Sequence, residues 1–419
     1  MEAMVAKMDQ IEYLQLADTM LSAHRFALSP DAPAEIFRTP GYPAFVAITY
    51  LVSGHWYWAP FVASGVLLGL IAVIVALLAM EIGATRRASL LAGALIGLSS
   101  GSILLSMTAT GSDILYALLY AGAVLAALRL RNDMYRPLAI GVLLGAATLV
   151  RPIGILASLP LLLGSGLISA VNASTYFRST AVALAAWALI LTPWYVRNHQ
   201  VAGVALLSTV STFNITYYNI PMNEAFWHRA SEADTRLAIL HIVGTTTPEA
   251  IRGTEFLPAM ENYNHTYLRS HLIDYGLFHL SRTVPFFFMS GFNVINAVLA
   301  HEAPGLRSPL FPTENDNLTR RITSHDWGAV LHALSTYWFT TLERLAWLAA
   351  ILLAFAAPFF ARGRNCRILL VFAAIIITNI LLISPVTQAR YRFPVEPYIW
   401  VAAVYTGAAL WKRYWEPNT

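Results

Sequence analysis

Long runs of uncharged, mostly apolar residues alternate with short polar turns along most of the chain. A helix needs about 20 apolar residues to cross the hydrocarbon core of a bilayer. The runs that reach or approach this length cover residues 58–80, 88–112, 152–177, 179–196 and 368–389. Shorter runs, bounded by Arg or Lys side chains that can reach the headgroups, cover residues 114–128, 137–150, 345–361 and 398–411. The pattern therefore predicts an all-α, polytopic bundle of nine transmembrane helices with outward-facing loops and interfacial helices.

The composition excludes an ordinary soluble domain. Hydrophobic residues make up 57% of the 419 residues and charged residues only 12%, where a soluble domain carries about 25% charge. The mean hydropathy of +0.57 agrees with this interpretation. The net charge of +4 is accounted for by basic turns, and no basic-aromatic patch indicates nucleic-acid binding. The single cysteine, Cys366, excludes a framework of disulfides within the chain.

The basic turns predict the orientation, because short loops that stay in the cytoplasm retain Lys and Arg. In a nine-span arrangement these turns all fall on one side, at residues 86–87, 129–136, 178, 362–367 and 412–413. The opposite, outward side then carries the remaining polar segments. The predicted regions are an outward N-terminal segment 1–57, transmembrane helices 58–197, a long outward loop region 198–344 and C-terminal transmembrane helices 345–413.

Two segments do not fit a simple alternation of spans and loops. The uncharged run 284–300 lies inside the long loop, and one more span there would invert the last three helices. We therefore expect a re-entrant or interfacial helix at this place. The outward N-terminal segment has no apolar segment before it that would export it. We expect the natural protein to begin upstream of Met1 with one more span.

The arginines on the predicted outward side are the informative charges, because membrane sorting does not require them there. They are Arg38, Arg151, Arg197, Arg390 and Arg392. A guanidinium group offers a planar fork of donors that matches phosphate. A set of them at the outward rim predicts a pocket for a phosphorylated, membrane-embedded ligand. Headgroup anchoring and packing are the alternative roles for each one.

Acidic residues lie on the same predicted side. Asp9 and Glu12 are three residues apart, so a helix places them on one face. Asp113 follows Ser112 at a helix start, where an acid also serves as a cap. A carboxylate that is partly desolvated at the boundary can have a raised pKa, which suits a general base. A solvated polar face is the alternative for Glu12.

These residues occur in an order that resembles a known family. The motifs are Asp9 with Tyr13 four residues later, Arg38-Thr-Pro-Gly-Tyr42-Pro, Ser112-Asp113, Arg151-Pro152, Thr192-Pro-Trp-Tyr-Val-Arg197-Asn and Arg390-Tyr-Arg392-Phe-Pro. Together they resemble the GT-C glycosyltransferases, in particular the bacterial protein-O-mannosyltransferase-like and aminoarabinose-transferase-like membrane enzymes of glycosyltransferase families 39 and 83. The resemblance extends from Asp9 to about Trp411.

The resemblance implies an enzyme of the bacterial inner membrane whose site faces the periplasm. Such an enzyme moves a sugar from a polyprenyl-phosphate donor to a lipid, glycan or protein acceptor. Asp9 matches the candidate catalytic base of the family, which often has a second acid where this chain has Gln10. A divalent metal stays open, and the histidines of the long loop form no recognised ligand motif.

The other motif residues receive roles from the same resemblance and from the chemistry. A sugar phosphate already has a competent leaving group, so the site needs cations for the developing charge and a base opposite them. A single displacement would invert the anomeric centre. The expected phosphate-binding residues are Arg390, Arg392 and Arg151, and the expected substrate-binding or positioning residues are Arg38, Tyr42, Asp113, Glu12 and Arg197.

Two other classes of function remain open at this point. A flippase or transporter of lipid-linked sugars would also use a polytopic bundle with an arginine-lined rim, although such proteins often show repeated halves and charges at mid-membrane. A polysaccharide polymerase or ligase would share the donor chemistry. A purely structural membrane subunit leaves the set of outward charges unexplained.

Overall fold

The structure, a computed structural model, describes residues 2–107, 111–169, 172–294, 326–386 and 389–415. These residues form helices and no strand, so the predicted all-α membrane bundle is confirmed. The α-helices are α1 Glu2–Ser22, α2 Gly41–Ser53, α3 Ala59–Glu81, α4 Arg86–Gly97, α5 Ser100–Met107, α6 Ser112–Arg129, α7 Tyr135–Val150, α8 Gly154–Ala157, α9 Leu159–Ser169, α10 Ala173–Ala202, α11 Val210–Asn214, α12 Ile220–His228, α13 Glu232–Val243, α14 Leu257–Ser270, α15 Leu272–Ser281, α16 Thr283–Phe288, α17 Trp327–Thr336, α18 Trp338–Phe360, α19 Gly363–Ile383, α20 Ala389–Arg392 and α21 Glu396–Trp415. A π-helix covers Ile215–Asn219, and 3-10 turns cover Ala250–Arg252, Gly291–Val294 and Phe393–Val395.

The predicted spans correspond to these helices except at 88–112 and 152–177. Among the described residues, the helices long and apolar enough to cross a membrane are α3, α6, α10, α18 and α19. The predicted span 88–112 is not one helix, because α4 ends at Gly97 and α5 begins at Ser100. The predicted span 152–177 is not one helix either, because it falls on α8, α9 and the start of α10. The predicted spans 114–128 and 345–361 coincide with α6 and α18, which are both long and apolar enough to cross.

The bundle has two chemically different ends. At the basic end, Arg129 donates to the Glu81 carboxylate at 2.8 Å, and Arg364 donates to the carbonyl of Leu128 at 3.0 Å. At the other end lie the start of α6, the end of α7, the end of α19 and the start of α21. We call this the site end, because every motif residue singled out above lies near it.

Small residues allow the helices of the bundle to pack closely. A Cβ on Gly93 of α4 would lie 2.5 Å from the carbonyl oxygen of Ala72 in α3. A Cβ on Gly145 of α7 would lie 2.8 Å from the side chain of Ile190 in α10. Close backbone approach increases the dispersion contacts that hold helices together in lipid, where water exclusion contributes little.

Residues 204–281 form a helical cap at the site end with a separate apolar core. Its buried members include Phe213, Ile239, Ile251 and Met260. Phe37, from the segment between α1 and α2, is buried in the same core. The N-terminal segment and the cap therefore pack as one unit above the bundle. The re-entrant or interfacial helix expected at 284–300 lies partly outside the described residues, since only α16 and the 3-10 turn Gly291–Val294 fall within them.

Candidate functional site

A cluster of acidic and basic side chains lies at the site end, centred on Asp9 of α1. Arg38 forms an ion pair with Asp9 Oδ1, and Arg390 Nη1 lies 3.5 Å from Asp9 Oδ2. These three side chains are only 12–16% exposed. The structure thus brings Arg38 and Arg390 to Asp9, although they lie 29 and 381 positions further along the chain.

The segment before α2 delivers Arg38 to this place by docking on the end of α7. Thr39 Oγ1 donates to the carbonyl of Val150 at 3.2 Å. A Cβ on Gly41 would lie 2.7 Å from the backbone of Leu149, so only glycine permits this approach. Because Arg151 follows directly after α7, the docking brings the arginines of two motifs to one site.

Glu12 lies one helical turn from Asp9 and is held by two arginines. Arg38 Nε donates to Glu12 Oε2 at 2.7 Å. Arg252, from the cap, donates to both carboxylate oxygens of Glu12 at 2.6 and 2.8 Å. The guanidinium of Arg252 also lies over the Phe37 ring, 4.1 Å from its centroid. We call the bidentate contact of Arg252 with Glu12 the clasp, since it ties the cap to α1.

A second ion pair borders the cluster on the bundle side. Arg151 pairs with Asp113, whose side chain is only 2% exposed at the start of α6. The guanidinium of Arg151 lies 5.4 Å from the centroid of the Tyr391 ring, and Arg390 lies 4.7 Å from the same ring. Arg390 Nη2 also donates to Tyr391 Oη at 2.7 Å. The ring of Tyr391 therefore holds Arg151 and Arg390 beside one another.

The arginines keep the carboxylates of α1 ionised. Burial raises the pKa of Asp9, but the charges of Arg38 and Arg390 outweigh it and hold the pKa below that of an ordinary Asp. Burial likewise raises the pKa of Glu12, but the contacts with Arg252 and Arg38 outweigh this effect, so the pKa is lower than that of an ordinary Glu. The expectation of a raised carboxyl pKa is therefore wrong for Asp9. The Asp9 side chain is therefore an ionised carboxylate at neutral pH.

The charges of the cluster do not balance. Its four guanidinium groups, from Arg38, Arg151, Arg252 and Arg390, face only three carboxylates, from Asp9, Glu12 and Asp113. Among the described residues, Arg390 Nε is a buried donor without a hydrogen-bond partner. A partly desolvated site with one excess positive charge and a free donor favours an anionic ligand.

Three of the predicted site residues lie outside this cluster. Arg392 is 1% exposed, pairs with Glu396 at 3.0 Å and donates to the carbonyls of Phe287 and Met289. Arg197 donates to the carbonyls of Glu35 and Phe26 and so fastens α10 to the N-terminal segment. Tyr42 is fully buried in α2, with its ring edge-on to Tyr13 at 4.9 Å.

Sequence reasoning missed Arg252 and Tyr391. Arg252 lies in the long loop, where a charge is expected in any case, and its partner Glu12 is 240 residues away. Tyr391 had a local signal, because an aromatic residue between two arginines at the membrane boundary offers a ring for cation-π contact. Within the described ranges, no group of three or more His, Cys, Asp or Glu side chains could hold a metal ion.

Comparison with solved structures identifies the fold. The archaeal oligosaccharyltransferase AglB from Archaeoglobus fulgidus, in complex with an inhibitory peptide and a dolichol-phosphate, matches 97% of this chain with a TM-score of 0.52 and 16% sequence identity. The chain spans about half of AglB, covering 46% of its length. ArnT from Cupriavidus metallidurans in the apo state matches 94% of this chain and 72% of its own, with a TM-score of 0.40 and 13% identity. No protein-family profile and no curated protein matches the chain. The chain thus shares the fold of AglB.

Proposed function

We propose that the chain is a GT-C glycosyltransferase that moves a sugar from a polyprenyl-phosphate donor to an acceptor at the outward face of a bacterial inner membrane. The observation that carries the proposal is the cluster at the site end, with four arginines against three carboxylates around Asp9. The shared fold supports it, since the solved AglB complex contains a dolichol-phosphate and a peptide. By analogy, the acceptor is a lipid, a glycan or a protein.

In this proposal, Arg390 and Arg151 bind the donor phosphate. Their guanidinium groups lie 4.7 and 5.4 Å from the centroid of the Tyr391 ring, and the Nε of Arg390 is a free donor. The phosphate supplies the negative charge that the cluster lacks. During reaction the bond between the anomeric carbon and the phosphate oxygen breaks, and charge develops on that oxygen. Cations fixed in a partly desolvated site stabilise this charge without reorganisation.

Asp9 acts as the base on the opposite side of the sugar. Because Arg38 keeps its carboxylate ionised, Asp9 accepts the proton of the acceptor hydroxyl or amine while that atom bonds to the anomeric carbon. Polyprenyl phosphate leaves with the bonding electrons, and the single displacement inverts the anomeric centre. Arg38 and Glu12 position Asp9, and Asp113 positions Arg151.

Arg392 has a structural role in this proposal in place of phosphate binding. Its donors already bind Glu396 and two backbone carbonyls, and its guanidinium is stacked 3.7 Å from the centroid of the Trp347 ring. A ligand would have to break these buried contacts before it reached Arg392. No step is assigned to a metal, since arginines already bind the carboxylates of Asp9 and Glu12.

The test is transfer of radiolabelled sugar from polyprenyl-phosphate donors in membranes that contain the protein. Wild type should form a glycosidic product, and Asp9→Asn should lose it. The matched control is Asp18→Asn, which changes an acid on the same helix whose side chain is 51% exposed and outside the cluster. Full activity of Asp9→Asn would remove the catalytic assignment. Translocation of the lipid without any glycosidic product would favour a flippase and overturn the proposal.

A further inference from the structure

Helix α15 of the cap carries an apolar stripe that the described residues leave uncovered. Ile273, Leu277, Leu280 and, just beyond the helix, Val284 are 52–75% exposed. Their spacing of four, three and four residues places them on one side of a helix. Phe278, on the opposite side, is 1% exposed. A water-facing surface would carry polar residues at these positions, so the stripe indicates an apolar partner.

The position of α15 indicates which partner this is. His279 Nε2 lies 2.6 Å from the carbonyl oxygen of Leu381, and Ser384 Oγ donates to the carbonyl of His279 at 2.7 Å. Both contacts join α15 to the end of α19, one of the helices that can span a membrane. Helix α15 therefore lies at the height where a membrane-spanning helix ends.

Helix α19 has an exposed apolar face of its own. Leu370, Ile377 and Leu381 of α19 are 44–54% exposed and recur at a helical spacing, as expected of a face in contact with lipid tails. Trp227 of the cap is 42% exposed and donates its indole N–H to the carbonyl of Asp274 in α15. Partly exposed Trp side chains are enriched at the boundary between lipid tails and headgroups.

We propose that α15 is an in-plane membrane anchor, whose apolar stripe is covered by the bilayer at the boundary between headgroups and lipid tails. The anchor fixes the height of the cap above the bundle. Because Arg252 of the cap clasps Glu12 of α1, the height of the cap also determines where the Asp9 cluster lies relative to the lipid phosphates. This inference concerns the membrane contact of the cap and does not require the proposed transfer reaction.

The experiment measures the environment of neighbouring positions on α15 in phosphatidylcholine vesicles. Cys366 is the single cysteine of the chain, so Cys366→Ser provides a background without thiols. Ile273→Cys reports on the stripe, and Asp274→Cys is the matched control, one residue further along the same helix on its polar flank. Each variant is labelled with a nitroxide, and collisions with oxygen and with a water-soluble nickel chelate are measured by electron paramagnetic resonance.

The proposal predicts that the label at position 273 collides severalfold more often with oxygen, and severalfold less often with nickel, than the label at position 274. Equal nickel accessibility at the two positions would show a water-facing stripe and overturn the proposal. Low accessibility of position 273 to both reagents would show that protein covers the stripe, which would also overturn it. Leu277→Cys provides a second position with the same expectation.

Discussion

The clasp between Arg252 and Glu12 allows a quantitative prediction for Arg252→Met. Methionine has an unbranched, apolar side chain that can pack on Phe37, but it is shorter than arginine and cannot donate, so both hydrogen bonds to Glu12 are lost. A hydrogen bond to a charged group contributes about 1.5–3 kcal/mol. Glu12 keeps the contact with Arg38 at 2.7 Å, so its charge is not left unpaired. We therefore expect a free-energy cost of about 2–3 kcal/mol, which is below the sum for two such bonds because Arg38 still pairs with Glu12.

If the clasp holds Glu12, Arg38 and Asp9 in the reactive arrangement, this cost appears in the transition state. A loss of about 2–3 kcal/mol corresponds to a decrease of about 30- to 150-fold in kcat/KM for sugar transfer. The assay uses initial rates over a range of donor concentrations, so that kcat and KM separate. Because Arg252 does not touch the donor, most of the decrease should occur in kcat. Arg252→Lys should restore part of the activity.

A double-mutant cycle with Glu12→Gln distinguishes a positioning role from a purely structural one. If the clasp acts through Glu12, the double variant should be little worse than Glu12→Gln alone. Arg269→Gln, an exposed change on the cap, is the control and should have wild-type kinetics. The reasoning is refuted if Arg252→Met folds normally and keeps the kcat/KM of wild type. It is also refuted if the changes in activation free energy caused by the two single variants add up in the double variant.

Three further predictions concern the charges of the site end. Arg38→Gln removes the closer of the two arginines paired with Asp9, so the pKa of Asp9 should rise. As the pH falls, the variant should then lose activity at a higher pH than wild type does, since the base must be ionised. Arg151→Gln leaves Asp113 buried without its partner and should destabilise the protein by about 3–5 kcal/mol, whereas adding Asp113→Asn should restore most of the thermal stability in detergent. Arg392→Met should lower the unfolding midpoint and leave the KM for the donor unchanged in the folded fraction; a selective rise in that KM would contradict the structural role.

The apolar pattern predicts the bundle well because lipid imposes a simple rule of length and composition. The predicted span 58–80 matches α3, Ala59–Glu81, to within one residue at each end, and the predicted span 179–196 lies inside the longer α10, Ala173–Ala202. The errors at 88–112 and 152–177 have a local cause. Neither run contains a charged residue, so hydropathy alone does not register the break between α4 and α5 or the breaks between α8, α9 and α10.

The cluster was predictable in part, since charges at the boundary of an apolar bundle require a reason. Asp9, Arg38, Arg151 and Arg390 were all identified from the sequence, and the structure brings them together. Their partners depend on contacts between distant segments, which no local pattern reveals. The clasp joins a loop residue to α1 across 240 positions.

The contrast between Arg390 and Arg392 shows the same difference between local and distant information. Residues two apart in a helical turn point to different sides, so only one of them faces Asp9. A local signal for the other existed in the sequence. Glu396 follows Arg392 by four residues, a spacing at which opposite charges pair on a helix, and the structure shows this pair at 3.0 Å.

The most direct test of the account is the binding of polyprenyl phosphate, without a sugar, to wild type and to Arg390→Gln in lipid nanodiscs. The account predicts that loss of Arg390 weakens this binding by about 10- to 100-fold, because a charge-assisted pair with phosphate contributes about 1.5–3 kcal/mol. Arg269→Gln is the control and should bind as wild type does. Equal binding of wild type and Arg390→Gln would contradict the central claim that the Asp9 cluster holds the donor phosphate.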